Sequence, residues 1–370
     1  MSASENIVKD NYIRKYIEEN GHKCFENLSF TNMDNIVFCQ LSYIDFAEIL
    51  SKGESITLKE ALHRFKEVGN CDLKMVWGEN QGFDFLLPCA TSERFGNILI
   101  SSFSDFVEKH TGMQFCAMSF VLDDCHEYIA FRGTDETIVG WKECLELSYG
   151  YMPSHEYALK YLEKHINMQK KYFVGGHSKG GNLALYAVSK ISEDKFRCID
   201  KVFANDSPGF YPKADIFDID RLHKKLISIR PEDSFVGRIF ELKPENDIIV
   251  KCSESGLKQH YLQTWKFQGT ELVKAENFSH LSNSGIAALN IWLSHNGFDE
   301  RMKKVDDLYN AMTKEGSDTI EEFFDEGTEG YERVLKLHKK ALGIFLGGMI
   351  SGIGVLILIV KSVFKRDKQI

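Results

Sequence analysis

Tyr172-Phe173-Val174-Gly175-Gly176-His177-Ser178-Lys179-Gly180-Gly181-Asn182-Leu183-Ala184 is the stretch whose reading decides the fold. Its first three residues form a short apolar run of the kind that fills a buried strand. Gly-x-Ser-x-Gly follows at residues 176–180, and then a helix-forming run rich in Ala and Leu. Strand, tight turn with serine at its apex, and helix are the context of a nucleophile elbow. The glycines have a steric purpose, because a Cβ at Gly176 or Gly180 collides where strand and helix cross. The N–H of Lys179, at the helix start, would then face a developing oxyanion, helped by the helix dipole. A phosphate-binding loop needs Gly-Lys-Ser/Thr in that order, which is absent here.

Working outward, the elbow sits within an alternation of strands and helices. Residues 115–122 and 128–131 are apolar, β-rich runs separated by a turn at Asp123-Asp124, which predicts a hairpin. A helix is expected from Ile138, containing Trp141 and Leu145, and another over 154–170 leads into the elbow strand. Further strands are predicted at 201–204, 226–229 and 247–252, ending in turns that carry Asp206, Asp233 and the Ser255-Gly256 pair. Such alternation implies a largely parallel sheet flanked by helices, with functional groups gathered at the strands' carboxyl ends. Before the hairpin, helices are read at Asn32-Met33-Asp34 onward, from Thr57 through Val68, and from Thr91-Ser92-Glu93 toward Phe106. They are expected to cover one side of the sheet. Helices also fill the tail region from Asn283.

The balance of 45 basic and 54 acidic residues, a formal charge of −9, gives no support for nucleic-acid binding. Nine cysteines without a C-x-x-C pair, behind a polar N-terminus, read as reduced thiols rather than a disulfide frame. Residues 341–360, ALGIFLGGMISGIGVLILIV, are twenty residues without a charge, bordered by Lys339-Lys340 and Lys361. They match the length of a membrane span of about 20 residues. The expected localisation is therefore a single-pass C-terminal anchor with the large domain in the cytoplasm. Gly343-x-x-x-Gly347 and Gly348-x-x-x-Gly352 would allow two copies to pair closely as a homodimer.

A serine hydroxyl needs an imidazole to take its proton and a carboxylate to orient that imidazole. In hydrolase order the acid and then the histidine follow the serine. Asp233 after the 226–229 strand is the first choice of acid, with Asp206 and Asp247 also open. His260 and His280 both lie beyond the last strand-like runs, and spacing does not separate them. Thr134, in the turn after the 128–131 strand, is placed where hydrolases draw a second oxyanion donor.

Gly176-His177-Ser178-Lys179-Gly180-Gly181-Asn182-Leu183-Ala184, with Ala130-Phe131-Arg132-Gly133-Thr134 upstream, resembles a bacterial lipase-like α/β-hydrolase family of unknown function, the Mbeg-like proteins, related to the class 3 lipases. Residues 35–46 and Asp206-Ser207-Pro208-Gly209-Phe210 carry the same likeness, which spans roughly residues 25–275. The resemblance implies the α/β-hydrolase fold, with Ser178 as nucleophile, Asp233 as acid, and Thr134 and Lys179 as oxyanion donors. The family's Gln-His pair followed by Trp matches Gln259-His260 and Trp265, which favours His260 over His280. Tyr261 stands where the family usually has an acidic residue, and class 3 lipases place their histidine nearer to His280.

The chain is thus expected to comprise a helical covering segment (1–110), an α/β-hydrolase core (111–300), a helical stalk (301–340), a transmembrane helix (341–360) and a basic tail (361–370). Its expected activity is serine-dependent hydrolysis of carboxylic esters, with acyl lipids at a membrane as the expected substrates, requiring no metal or cofactor. The alternative is a catalytically silent hydrolase fold serving as a membrane-tethered interaction module.

Overall fold

A computed structural model describes residues 11–51, 53–68, 82–147, 150–211, 218–319 and 322–323. The expected span at 341–360, the basic tail and most of the expected stalk lie outside the described residues. Among the described residues, no helix is long and apolar enough to cross a membrane.

One eight-stranded sheet organises the chain. Its strands are β1 (Ile56–Thr57), β2 (Leu99–Glu108), β3 (Met113–Val121), β4 (His126–Phe131), β5 (Lys171–His177), β6 (Ile199–Asn205), β7 (Leu226–Pro231) and β8 (Asn246–Val250), and they lie in sequence order across it. The first three pairings are antiparallel and the last four are parallel. The helices are α1 (Tyr12–Asn20), α2 (Asn32–Leu41), α3 (Leu58–Glu67), α4 (Gly82–Thr91), α5 (Ile138–Glu146), α6 (Pro153–His165), α7 (Lys179–Lys190), α8 (Glu193–Phe196), α9 (Ile219–Leu222), α10 (His280–His295) and α11 (Phe298–Met312). A minor ribbon pairs β9 (Phe267–Gln268) with β10 (Glu271–Leu272).

Strand alternation divides the core into two layers. On β3, Phe115 and Ala117 join one apolar cluster while Cys116, Met118 and Phe120 join the other. On β4, Ile129 and Phe131 face the first, Tyr128 and Ala130 the second. Successive side chains on a strand point to opposite faces, so both faces must be covered. Each parallel connection moves one strand in the same direction, and right-handed crossovers then stack α6 and α7 on one face. The opposite face is left for the N-terminal helices: Ile13, Tyr16, Phe38, Leu41, Leu62, Phe65 and Leu86 close it. Arg94 ties this cover down, its guanidinium and the carboxylate of Asp34 fully buried and paired at 2.6 Å.

Several expectations hold in detail. Thr57 caps α3 by accepting the N–H of Glu60 at 3.1 Å. α2 begins at Asn32 as read, but its cap is Thr31, which forms a capping box with Asp34. The helix expected from Thr91 toward Phe106 does not form: α4 ends at Thr91, turns follow, and β2 takes over at Leu99. A bulge between Ser101 and Ser104 shifts its register. The shift leaves Ile100, Phe103, Phe106 and Val107 at a spacing that imitates a helix. With β1 and β2 in the sheet, two strands come from before residue 110, so the covering segment is not purely helical. Past residue 301, α11 packs on α5 rather than standing free, with Val305 and Leu308 buried and Arg301 over the Tyr211 ring.

Candidate active site

Parallel strands bring their carboxyl ends to one edge of the sheet, and there β4, β5, β6, β7 and β8 deliver their loops. Ser178 follows the last residue of β5 and precedes the first of α7. Its φ of 57° lies in the left-handed region, an unusual place for a non-glycine residue. The close crossing demanded of the glycines is real. A Cβ on Gly176 would stand 2.3 Å from the carbonyl carbon of Gly180, and one on Gly180 would stand 2.0 Å from the carbonyl oxygen of Phe131. Asn205, at the end of β6, braces the turn from beside it. Its carbonyl accepts the Ser178 N–H at 3.0 Å, and its side-chain amide donates to the carbonyl of Gly176 at 3.1 Å. The Asn205 side chain belongs in turn to a buried network with Asn35, Tyr128 and Cys39.

His260 ends a short 3-10 turn after β8, with its side chain about a quarter exposed. Two contacts hold it against the elbow. Its carbonyl lies 2.9 Å from Nε2 of His177, the neighbour of Ser178, and the two imidazoles pack at a tilt of 38° with centroids 4.4 Å apart. Its Nδ1 lies 2.6 Å from Oδ2 of Asp206, whose backbone follows Asn205 directly. A carboxylate only accepts, so Nδ1 carries the proton and the Nε2 lone pair is left for another donor. Neither Nε2 of His260 nor Oγ of Ser178 makes a hydrogen bond to any described residue, and hydrogen bonds of this kind commonly tighten only with substrate.

The carboxylate facing His260 is therefore that of Asp206, not Asp233 as expected from the sequence. Asp206 is 1 % exposed, and its other oxygen accepts from Ser234 Oγ and from the N–H of Gly237 at 3.0 Å. Asp233 serves the loop that carries the imidazole. Its carboxylate accepts the Gly256 N–H at 2.6 Å and Gln259 Nε2 at 3.1 Å, and its own N–H donates to Gln259 Oε1 at 2.8 Å. The buried indole of Trp265 donates to the Gln259 carbonyl at 2.8 Å, which gives the Gln-His and Trp pattern its physical sense. His280 begins α10 in an exposed position, and Asp247 on β8 pairs with Arg230.

His177 is tied on both ring nitrogens. Because Nε2 meets a carbonyl it must donate, so Nδ1 accepts from the Tyr43 hydroxyl at 2.9 Å. Burial, and secondarily the nearby His260, holds its pKa well below the usual histidine value. It stays neutral while supporting the loop of residue 260.

The expected oxyanion donors come from two loops. Lys179 is the first residue of α7, where a backbone N–H has no acceptor within the helix. Thr134 lies buried beyond β4, its Oγ1 2.7 Å from Cys144 Sγ. Among the described residues no group of histidine, cysteine and carboxylate side chains is arranged to hold a metal ion. Tyr43, Asn205 and Glu143, the last paired with the Lys179 ammonium, were not singled out in the sequence. The lysine beside the serine was the one local signal that a buried carboxylate had to be near.

A family model described as Mbeg1-like matches residues 89–310. A solved structure titled "Crystal structure of M37 lipase" is similar at 19 % identity, covering 57 % of this chain and 70 % of that chain with a TM-score of 0.32. That likeness is too distant to carry residue correspondences. No curated protein matches the chain.

Proposed function

This chain belongs to the Mbeg1-like family, and from that footing we propose that it is a serine hydrolase of carboxylic esters, with Ser178, His260 and Asp206 as its triad. The observation that carries the reading is the fastening of His260. Its imidazole is anchored through Nδ1 to a buried carboxylate and through its carbonyl to the neighbour of a strained serine.

In this reading Ser178 Oγ attacks the ester carbonyl while Nε2 of His260 takes its proton. Asp206 stabilises the imidazolium that forms and keeps the productive tautomer. The N–H groups of Lys179 and Thr134 hold the tetrahedral oxyanion, a contribution of roughly 3–4 kcal/mol per well-placed donor. The proton then passes to the leaving alkoxide, and water, activated by the same imidazole, releases the acid. Asp233 takes the part of shaping the histidine loop. The apolar stretch at 341–360 motivates acyl lipids as the substrates, a membrane location and pairing of two copies, as further parts of the proposal.

The deciding experiment is active-site labelling. A fluorophosphonate probe is expected to mark the purified protein and to fail on Ser178→Ala; equal labelling of both removes the assignment. The second reading, a silent hydrolase fold, draws on the absence of a hydrogen bond between Ser178 and His260. A panel of short- and long-chain nitrophenyl esters separates the two, because the silent fold turns over none of them.

A further inference from the structure

We infer that Glu143 is the positioning residue of the oxyanion hole, acting through the Lys179 side chain to fix the N–H of residue 179; this rests on the hydrolase reading above. The observation is a fully buried ion pair at the first residue of the elbow helix. Lys179 Nζ lies 2.8 Å from Glu143 Oε2 and 2.9 Å from the Gln114 carbonyl, and it also donates to Gln114 Oε1. Both charged side chains have no exposure. The carboxylate is itself held, accepting the N–H of Gln114 on β3 at 3.2 Å and the N–H of Ser154 on α6 at 3.0 Å. It therefore links three elements to the start of a fourth.

Two features make this more than packing. A cation in the first turn of a helix has the wrong sign for the helix dipole, so Lys179 is unfavourable there unless a carboxylate compensates it. Replacing a buried ion pair by apolar residues of the same volume is often neutral or stabilising, so stability does not account for this pair, and a defined position is the role assigned to it here. Position is what this helix end needs. Ser178, in the place of the N-cap, makes no side-chain cap bond. The lysine side chain, which only donates and so cannot cap the helix N–H groups, ties this helix end to β3 and α5 instead. The next residue along α5, Cys144, lies against the Thr134 hydroxyl. Consecutive residues of one helix thus hold both loops that supply the donors.

The test uses the full-length protein with a nitrophenyl butyrate substrate and phenylboronic acid as a tetrahedral analogue. Glu143→Gln is expected to lower kcat roughly 10- to 100-fold with KM within about two-fold. It should weaken phenylboronic acid by a similar factor while butyrate inhibition is unchanged. Lys179→Met keeps the apolar stem without the charge and is expected to repeat this pattern. Wild-type kcat and boronate affinity in both folded variants overturn the assignment. So does a parallel loss of substrate, product and boronate binding, or failure of both variants to fold, since either makes the pair a structural element only. If the wild-type protein neither labels with fluorophosphonate nor turns over ester, the hydrolase reading falls first and takes this with it; turnover by an unchanged Glu143→Gln variant removes this assignment alone.

Discussion

Oδ2 of Asp206 lies 2.6 Å from Nδ1 of His260, although 54 residues separate them along the chain. The aspartate directly follows β6, the histidine lies beyond β7 and β8, and the serine directly follows β5, the strand before all three. The contact orders the imidazole through Nδ1 and leaves Nε2 without a partner among the described residues. Burial of the carboxylate, with Ser234 and Gly237 donating to its second oxygen, leaves it little freedom to rotate. An acid held so firmly can keep one tautomer of one ring.

The two aspartates should therefore separate in kinetics. Asp206→Asn is expected to lower kcat about 10³- to 10⁴-fold, as loss of the tautomer-fixing carboxylate does in other triads. Asp233→Asn keeps the shape of the histidine loop and should cost less than about ten-fold, since its amide oxygen can take the place of Oδ2, which accepts from both Gly256 and Gln259. Steady-state rates on a nitrophenyl ester check both, and an inverted ranking would return the role to Asp233.

Tyr43 lies in the N-terminal segment, outside the residues matched by the family model, yet it caps Nδ1 of His177. Tyr43→Phe leaves a buried acceptor unsatisfied, at a cost of about 1–3 kcal/mol in stability. Chemical denaturation measures this directly. The His260 loop, which hangs from the other nitrogen of His177, should become more susceptible to proteolysis in the variant.

Stability should fall with acid over a defined window. Burial lowers the pKa of His155 to about 4, and burial with the His260 neighbour holds His177 well below 6.5. The native chain therefore binds fewer protons than the unfolded chain between those values and about 6.5, where unfolded histidine titrates. Stability is full above that pH and declines as the pH falls through the window, by roughly 3 kcal/mol for a residue such as His155. Urea midpoints at pH 7 and pH 5 report the decline. His155→Gln should flatten part of it, and an unaltered slope would show that the ring charges freely in the native state.

Gly180→Ala places a methyl group 2.0 Å from the Phe131 carbonyl oxygen. Backbone on both sides must move, so a loss of at least about 2 kcal/mol is expected, together with the activity. Gly269→Ala is the contrast in surroundings. Nothing lies within 4 Å of its added Cβ, and only the strain of its φ of 64° remains, about 1 kcal/mol. Melting temperatures of the two variants give the comparison.

Much of this architecture is legible along the chain. The hairpin of β3 and β4 reads as two short apolar runs parted by a polar turn, as strands covered on both faces require, and the elbow announces itself by glycines that only a strand–helix crossing requires. Thr57 caps its helix as its spacing to Glu60 demands. Legibility ends where local pattern and tertiary pairing disagree. β2 reads as a helix because its bulge breaks the alternation, and only hydrogen bonding to β3 makes it a strand.

The choice of acid shows the same boundary inside the site. Asp206 and Asp233 both follow apolar strands, both lie downstream of the serine, and parallel pairing brings both to the same edge of the sheet. Residue type, order and spacing by themselves determined the strained serine, the helix behind it and the short set of histidines and carboxylates that can serve it. Which of those side chains meet was decided in three dimensions. Strand order sets the lateral place of each loop, and the ties from Asp233 to Gln259 and from His177 to His260 swing one imidazole onto Asp206. The buried Lys179–Glu143 pair belongs to that second kind of information, because a charge can be stored in a core only where folding brings its counter-charge within reach.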